Sequence, residues 1–299
     1  MATGEAGALE VQWVRKRPSF WKNLARLARK KYLGTIAAFI IMALVVVAFI
    51  GPVIAPFDPI EVNTDIALQP PNALHPFGTD ELGRDILSRI IYGSRVSLTV
   101  SLGAVGIAFF LGIVIGLTSA YFGGKFDIIM QRVMDGLLAF PSLVLAMVIV
   151  ATLGSSLTNV IIAIAIHPIA TRSRVLRGTA LSVMQNQYID AARAIGASHV
   201  RIMAQHILPN CWAPMIVLVS IALGTAILAE SSLSFLGLGP PPPNPTWGSM
   251  LSGSARTYMS TAPWMAVAPG IAITLVVLSF NLLGDALRDI LDPRLRGSQ

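Results

Sequence analysis

Uncharged stretches recur along this 299-residue chain at lengths that suit a lipid bilayer. The first runs from Tyr32 to Phe57, and further charge-free windows cover residues 96–124, 136–171, 202–229 and 257–284. A spanning helix needs about 20 predominantly apolar residues. The 136–171 window is too long for one span, and Gly154, Ser155 and Ser156 divide it. The pattern therefore predicts six helical spans near residues 33–55, 97–120, 134–153, 157–171, 213–235 and 264–285, an all-α integral membrane protein. Around them it sets a basic tail at 1–31, a first helix and loop at 32–95, a core of five helices at 96–287 with a long loop at 172–212, and a tail at 288–299.

Composition supports this reading. Hydrophobic residues make up 54% of the chain and charged residues 12%, about half the share usual in a soluble domain. A soluble enzyme is excluded on that ground. The single cysteine, Cys211, removes internal disulfides and Cys-rich zinc sites. A net charge of +7 could suggest nucleic acid, but the placement of the charges argues for a membrane instead. Six spans put both termini on one side, and eighteen of the 22 Lys and Arg residues then fall on that side, leaving Arg84, Arg89, Arg95 and Arg256 opposite. Basic residues are retained in cytoplasmic loops, so both termini are expected in the cytoplasm. Pro52 and Pro56 follow the first apolar run where a signal peptide would carry a small-residue cleavage site, so that helix is expected to remain uncleaved.

The loop at 172–212 is the most informative segment. Residues 188–198 followed by 199–210 read as helix, turn, helix. Gly196 can adopt the left-handed conformation that ends the first helix, Ser198 can cap the second, and Pro209 is expected to break the chain before the fifth span. Asp190 near the first helix start suits the helix dipole, and Ala191 and Ala192 keep one surface thin. A thin rigid helix under a membrane domain fits a groove in another protein, although the same spacing also describes an ordinary solvated loop helix. DNA binding is excluded, because spans flank the unit too closely for a duplex.

These residues resemble a known signature. Asp190-Ala191-Ala192, then Gly196, then Leu208-Pro209, with Ile195 and Ala197 between, resemble the EAA loop of bacterial ATP-binding-cassette (ABC) importer permeases. Asp190 replaces the usual Glu and keeps its charge, and His206 stands where the general signature has Ile. Phe77-Gly78-Thr79-Asp80-Glu81-Leu82-Gly83-Arg84-Asp85, Ser231 through Gly239, Pro245-Thr246-Trp247-Gly248, and Asn281 through Pro293 look like the dipeptide/oligopeptide/nickel branch, and within it the C-type permease. The resemblance implies a type I ABC importer-like permease fold in the bacterial inner membrane. It implies as partners a second homologous permease, two ATP-binding subunits, an extracytoplasmic solute-binding protein and membrane lipid, with no nucleic acid. ATP and Mg would reside in the ATPase subunits and no cofactor in this chain. The cargo is expected to be a di- or oligopeptide or a related small solute.

Candidate pathway residues lie inside the spans. Glu230 falls late in the fifth span, and charges there usually face a cavity or a partner; capping by neighbouring hydroxyls such as Ser231 or Ser232 is the simpler alternative. His167-Pro168 and Phe140-Pro141 mark expected kinks that could act in a gate. Gly112 and Gly116 have the spacing of a close helix contact. His75, Asp80, Glu81 and Asp85 could suggest a cation site, but capping of a short helix explains them more simply, and no metal is assigned.

The chain lacks a P-loop, His-Glu-x-x-His and G-x-S-x-G, so nucleotide hydrolysis, metalloproteolysis and serine hydrolysis lose their chemistry. The competing function is a proton-coupled secondary transporter that uses Glu230 and His167 as a relay.

Overall fold

The computed structural model describes residues 32–291. The expected basic tail over residues 1–31 lies outside the described residues, as do Arg294 and Arg296. Among the described residues there is no strand, only an isolated bridge between Thr79 and Asp85. The helices are α1 (Tyr32–Ile54), α2 (Ile86–Phe122), α3 (Gly124–Leu138), α4 (Ser142–Leu153), α5 (Leu157–Met184), α6 (Gln187–Ala194), α7 (His199–Phe235), α8 (Trp247–Leu251), α9 (Ser254–Thr257) and α10 (Trp264–Leu291).

α1 is apolar all round, the pattern of a helix immersed in lipid. Phe39, Phe49 and Val53 are 75, 81 and 87% exposed, while Gly34, Ala37, Leu44, Ala48 and Gly51 form a thin buried stripe. Small residues let backbones approach closely: Gly34 faces Ala286 of α10, and Gly51 faces Ile91 of α2. The main apolar core runs between α2, α4, α5, α6 and α7, and a second cluster joins α1, α2, α7, α8 and α10. Along α2 and α5 the close contact expected at Gly112 and Gly116 is present. A Cβ on Gly112 would approach Arg172 Cβ to 2.7 Å, and one on Gly116 would strike the Ser173 carbonyl oxygen.

Several expected boundaries move. Rather than six separate spans, the described residues supply four helices long and apolar enough to cross a membrane, α1, α2, α7 and α10, and one bent pair. The expected single span 134–153 is that pair, α3 and α4, which meet at 87° around Phe140-Pro141. Pro141 removes an N–H donor and the chain turns there. The break at residues 154–156 is present: Gly154 takes φ +86° and Ser156 Oγ accepts from Asn159 N. Beyond it, α5 continues past Thr171 to Met184 and passes through Pro168 as one helix. Its apolar part, residues 157–171, is only about 22 Å long, short of a hydrocarbon core of about 30 Å.

α2 starts at Ile86, well before the expected 97, because Asp85 accepts from both the N–H and the hydroxyl of Ser88 at 2.7 Å. Its 37 residues extend about 55 Å, so its first turns stand outside the hydrocarbon and carry the loop at residues 55–85. Trp264 donates Nε1–H to the Thr79 carbonyl at 3.1 Å and Trp247 to the Ile90 carbonyl at 2.9 Å, pinning loop and helix together. Pro209 does not break the chain as expected. α7 is continuous from His199 because residues 202–207 widen into a π-turn, with Leu208 N–H reaching Met203 O. The wider turn makes room for the proline ring where an α-helical turn would clash.

Gly106 has open space around its Cβ position. Gly116→Ala is therefore expected to destabilise the solubilised protein by about 1–3 kcal/mol through overpacking, whereas Gly106→Ala leaves the unfolding temperature unchanged or higher. A thermal melt of both variants in one detergent checks the contrast.

Candidate functional site

The loop between α5 and α7 folds into a rigid elbow. Ile189 and Ala192 lie on one face of α6 at 0 and 6% exposure and enter the main core. Tyr188, Asp190, Ala191 and Ala194 face outward. The helix ends in a Schellman motif: Gly196 N–H donates to Arg193 O and Ala197 N–H to Ala192 O, both at 3.0 Å. Gly196 holds φ +79° there. Ser198 Oγ then accepts from Arg201 N at 3.3 Å and starts α7. Around this turn Ile195 and Val200 are 86 and 70% exposed. Asp190, Ala191, Ile195 and Gly196 thus share one accessible surface, Ala192 anchors it, and Ala197 is half-buried. Leu208 and Pro209 lie beyond, in α7 next to the π-turn.

The elbow is tied to the end of α2. Tyr121 OH shares a hydrogen bond with His199 Nδ1 at 2.8 Å, and the Arg193 guanidinium stands 5.8 Å above the Tyr121 ring centroid. Nearby, Arg177 of α5 donates Nε–H to Asp127 of α3 at 2.6 Å, and Arg174 pairs with Asp135. Beyond the apolar run of α5, the Arg177 guanidinium holds the Asp127 carboxyl below the usual carboxylate range; burial opposes this and the Ser119 hydroxyl reinforces it. These pairs lock the amphipathic α3 against the extension of α5. The partners are 39 to 78 residues apart, and no local pattern could have found them.

A second feature is a cavity of about 450 Å³ between α2, α4, α5 and α7. Its wall is largely small and apolar, with His167, Pro168, Thr171 and Arg172 of α5 facing Ser232 of α7. Of the four sequence candidates, His167 and Pro168 line it. Pro141 is just before Ser142, a lining residue, at the 87° bend. Glu230 is not on this wall. It is fully buried and accepts from Ser234 Oγ at 2.7 Å, Ser97 Oγ at 3.1 Å and Ser231 Oγ at 3.5 Å. Three hydroxyls offset the cost of burying a carboxyl and clamp α7 to α2. Of the two hydroxyls the sequence suggested, Ser231 reaches the carboxyl while Ser232 donates to the Leu228 carbonyl instead; Ser97 and Ser234 were not indicated.

On the opposite end, each of the four residues that could have suggested a cation site has a donor or acceptor in the protein. His75 Nδ1 meets Asp85 at 2.9 Å, and Arg84 reaches Asp80 at 2.7 Å and Glu81 at 3.4 Å. Among the described residues no group of three His, Cys, Asp or Glu could hold a metal ion.

Apolar crossing helices around a cavity, with an apolar-tipped elbow at one end, define a membrane permease. Two family models match the sequence. One, for the binding-protein-dependent transport system inner membrane component, covers residues 108–297, and the other, for the N-terminal TM domain of oligopeptide transport permease C, covers residues 19–71. The chain belongs to the family of binding-protein-dependent transport system inner membrane components, the permease subunits of ABC importers. Its relatives include the dipeptide transport system permease protein of Alkalihalophilus pseudofirmus, 44% identical over 276 residues, spanning 92% of this chain and 90% of the relative. The glutathione transport system permease protein of Escherichia coli O6:K15:H31 is also 44% identical, over 278 residues, spanning 93% and 91%. Among solved structures, a methionine ABC transporter in inward-facing conformations shares the fold with a TM-score of 0.56 at 15% identity, covering 69% of this chain and 98% of that one. An amino acid ABC transporter does so at 0.52 and 15%, covering 68% and 94%.

Two outcomes test this geometry. Tyr121→Phe removes one hydrogen bond, about 1 kcal/mol, and is expected to raise amide exchange over residues 193–201 by about fivefold. Glu230→Gln keeps one acceptor oxygen and turns the other into an amide N–H that a rotated serine hydroxyl can accept from, and is expected to melt close to the parent, whereas Glu230→Leu strands buried hydroxyls and loses about 2 kcal/mol or more; thermal melts separate them.

Proposed function

We propose that this chain is one of two permease subunits in an ABC importer for peptides, embedded in the bacterial inner membrane with both termini in the cytoplasm. The relatives named for dipeptide and glutathione transport support a peptide cargo, since both solutes are short peptides. The charge distribution, eighteen of 22 basic residues on one side, supports the orientation. The partners are a second, homologous permease that completes the pathway, two ATP-binding subunits and an extracytoplasmic solute-binding protein. ATP and Mg belong to the ATP-binding subunits.

The observation that carries this reading is the elbow. Asp190, Ala191, Ile195 and Gly196 present a thin surface, with the strongly exposed Ile195 beside a glycine in the left-handed region. Ile189 and Ala192 root that surface in the core. Such a surface transmits force because it cannot shear from the helices behind it. Closure of the ATPase pair pushes the elbow. The push passes through His199 and Tyr121 to α2, and through the continuous α7 past Leu208 and Pro209 to the cavity wall. The two access states then differ in which end of the cavity is open, a population shift driven by different contacts in each state. His167 and Pro168 line the path, Pro141 marks the bend where a gate can pivot, and Glu230 clamps α7 to α2.

A proton relay through Glu230 and His167 is not supported: Glu230 is enclosed by Ser97, Ser231 and Ser234, away from the wall that carries His167.

Gly196 has free space around it, so a substitution is resisted by backbone conformation alone. A β-branched residue there costs about 1–2 kcal/mol or more. In vesicles reconstituted with all partner subunits, Gly196→Val is expected to cut solute imported per ATP hydrolysed by about tenfold while hydrolysis continues. Unchanged import would remove the elbow from the mechanism.

A further inference from the structure

Three arginines follow one another on the extension of α5, and their fates differ. Arg174 pairs with Asp135 and Arg177 with Asp127, both on α3. Arg172 has no carboxylate partner among the described residues. Its side chain lines the cavity between α2, α4, α5 and α7, where it is the one formally charged residue on a wall without an acidic group. Its Nε is buried with no protein acceptor within hydrogen-bond distance. The guanidinium carbon stands 5.5 Å above the Phe109 ring centroid. The ring favours the cation only partly, and a half-buried charge without a counter-ion is costly.

We infer that Arg172 is a recognition residue for a carboxylate on the travelling solute, engaged as that solute passes through the cavity. For the peptide importer proposed above, on which this inference rests, the group is the free C-terminal carboxylate of a short peptide. The chemistry fits in three respects. A guanidinium presents a planar fork that matches a carboxylate with two parallel hydrogen bonds, and no other cationic side chain does so. The Phe109 ring beneath it supports the cation from one side. The remaining wall, small residues such as Ala104, Ala108, Ala146 and Ala226, selects little among peptide side chains. One charged anchor in a smooth apolar chamber reads the invariant end of a peptide and tolerates its variable part. At about 450 Å³ the chamber falls within the usual range for small-molecule sites.

The test uses the complete complex of both permeases and both ATP-binding subunits, with dialanine and its C-terminal amide as probes. Equilibrium dialysis against the detergent-solubilised complex bypasses the preferences of the binding protein. The parent complex is expected to bind the acid about tenfold more tightly than the amide. Arg172→Gln is expected to abolish that preference by weakening the acid alone, and Arg172→Lys to restore part of it. The acid–amide comparison in the parent complex needs no variant, so misfolding of a variant leaves the inference decidable. Equal binding of acid and amide by the parent overturns it. So does an equal loss of both in Arg172→Gln, the result expected if Arg172 serves packing or pairs with a carboxylate of the second permease. ATP-dependent dialanine uptake by the full system, binding protein included, separately tests the peptide reading. Uptake without carboxylate dependence sinks the inference about Arg172, and absence of uptake sinks the peptide reading beneath it.

Discussion

Hydrocarbon offers no hydrogen-bond partner, and that constraint orders the whole molecule. Every polar group within the bilayer must find a partner inside the protein, or be carried to an end where water is available. The long helices answer the first demand for the backbone. Glu230 answers it for a carboxyl, drawing hydroxyls from Ser97, Ser231 and Ser234. The second demand sends polar machinery outward: the tryptophan-pinned loop at one end, and the elbow with its Arg–Asp pairs at the other. Motor and solute receptor can therefore meet this chain only at its ends, with the helices between as the sole connection.

In the proposed mechanism that connection has joints of two kinds. Stiff joints are made by side-chain pairs between distant segments: Tyr121 with His199, Arg177 with Asp127, Ser97 with Glu230. Turning joints are made by residues that alter backbone geometry: Gly196 at the elbow, Pro141 at the 87° bend, and the π-turn that accommodates Pro209. Close helix contacts at Gly112 and Gly116 hold α2 and α5 together. Arg172 sits at that contact, its Cβ against Gly112, so the close packing of these two helices also positions the one formally charged residue on the cavity wall.

What could be read from the sequence was whatever is local. Gly196, Ser198 and the Gly154–Ser156 break are conformational or capping requirements written in adjacent residues, and each is present in the structure. Gly112 and Gly116 were legible for the same reason. What could not be read depends on partners far along the chain or on competition between local rules. The early start of α2 follows from Asp85 capping and from loop contacts made by Trp247 and Trp264. Pro209 predicted a break because a proline removes a helix hydrogen bond and its ring crowds the preceding turn, but a π-turn relieves that crowding. The bend at Pro141 was expected as a kink, and its size depends on α3 lying along the extension of α5, held by Arg177 and Arg174. Glu230 appeared as a pathway candidate because Ser97, 133 residues away, gives no local sign of reaching it.

The central claim is that force enters through the exposed elbow and is not generated within this chain. Ile195→Cys, in an assembled complex whose ATP-binding subunits carry single cysteines across their groove, tests it most directly by cross-linking. The account predicts a cross-link at position 195 whose yield changes when ATP binds, with transport arrested once the link is made. A complex that continues to import solute with the elbow free of the ATP-binding subunits in every nucleotide state would contradict it.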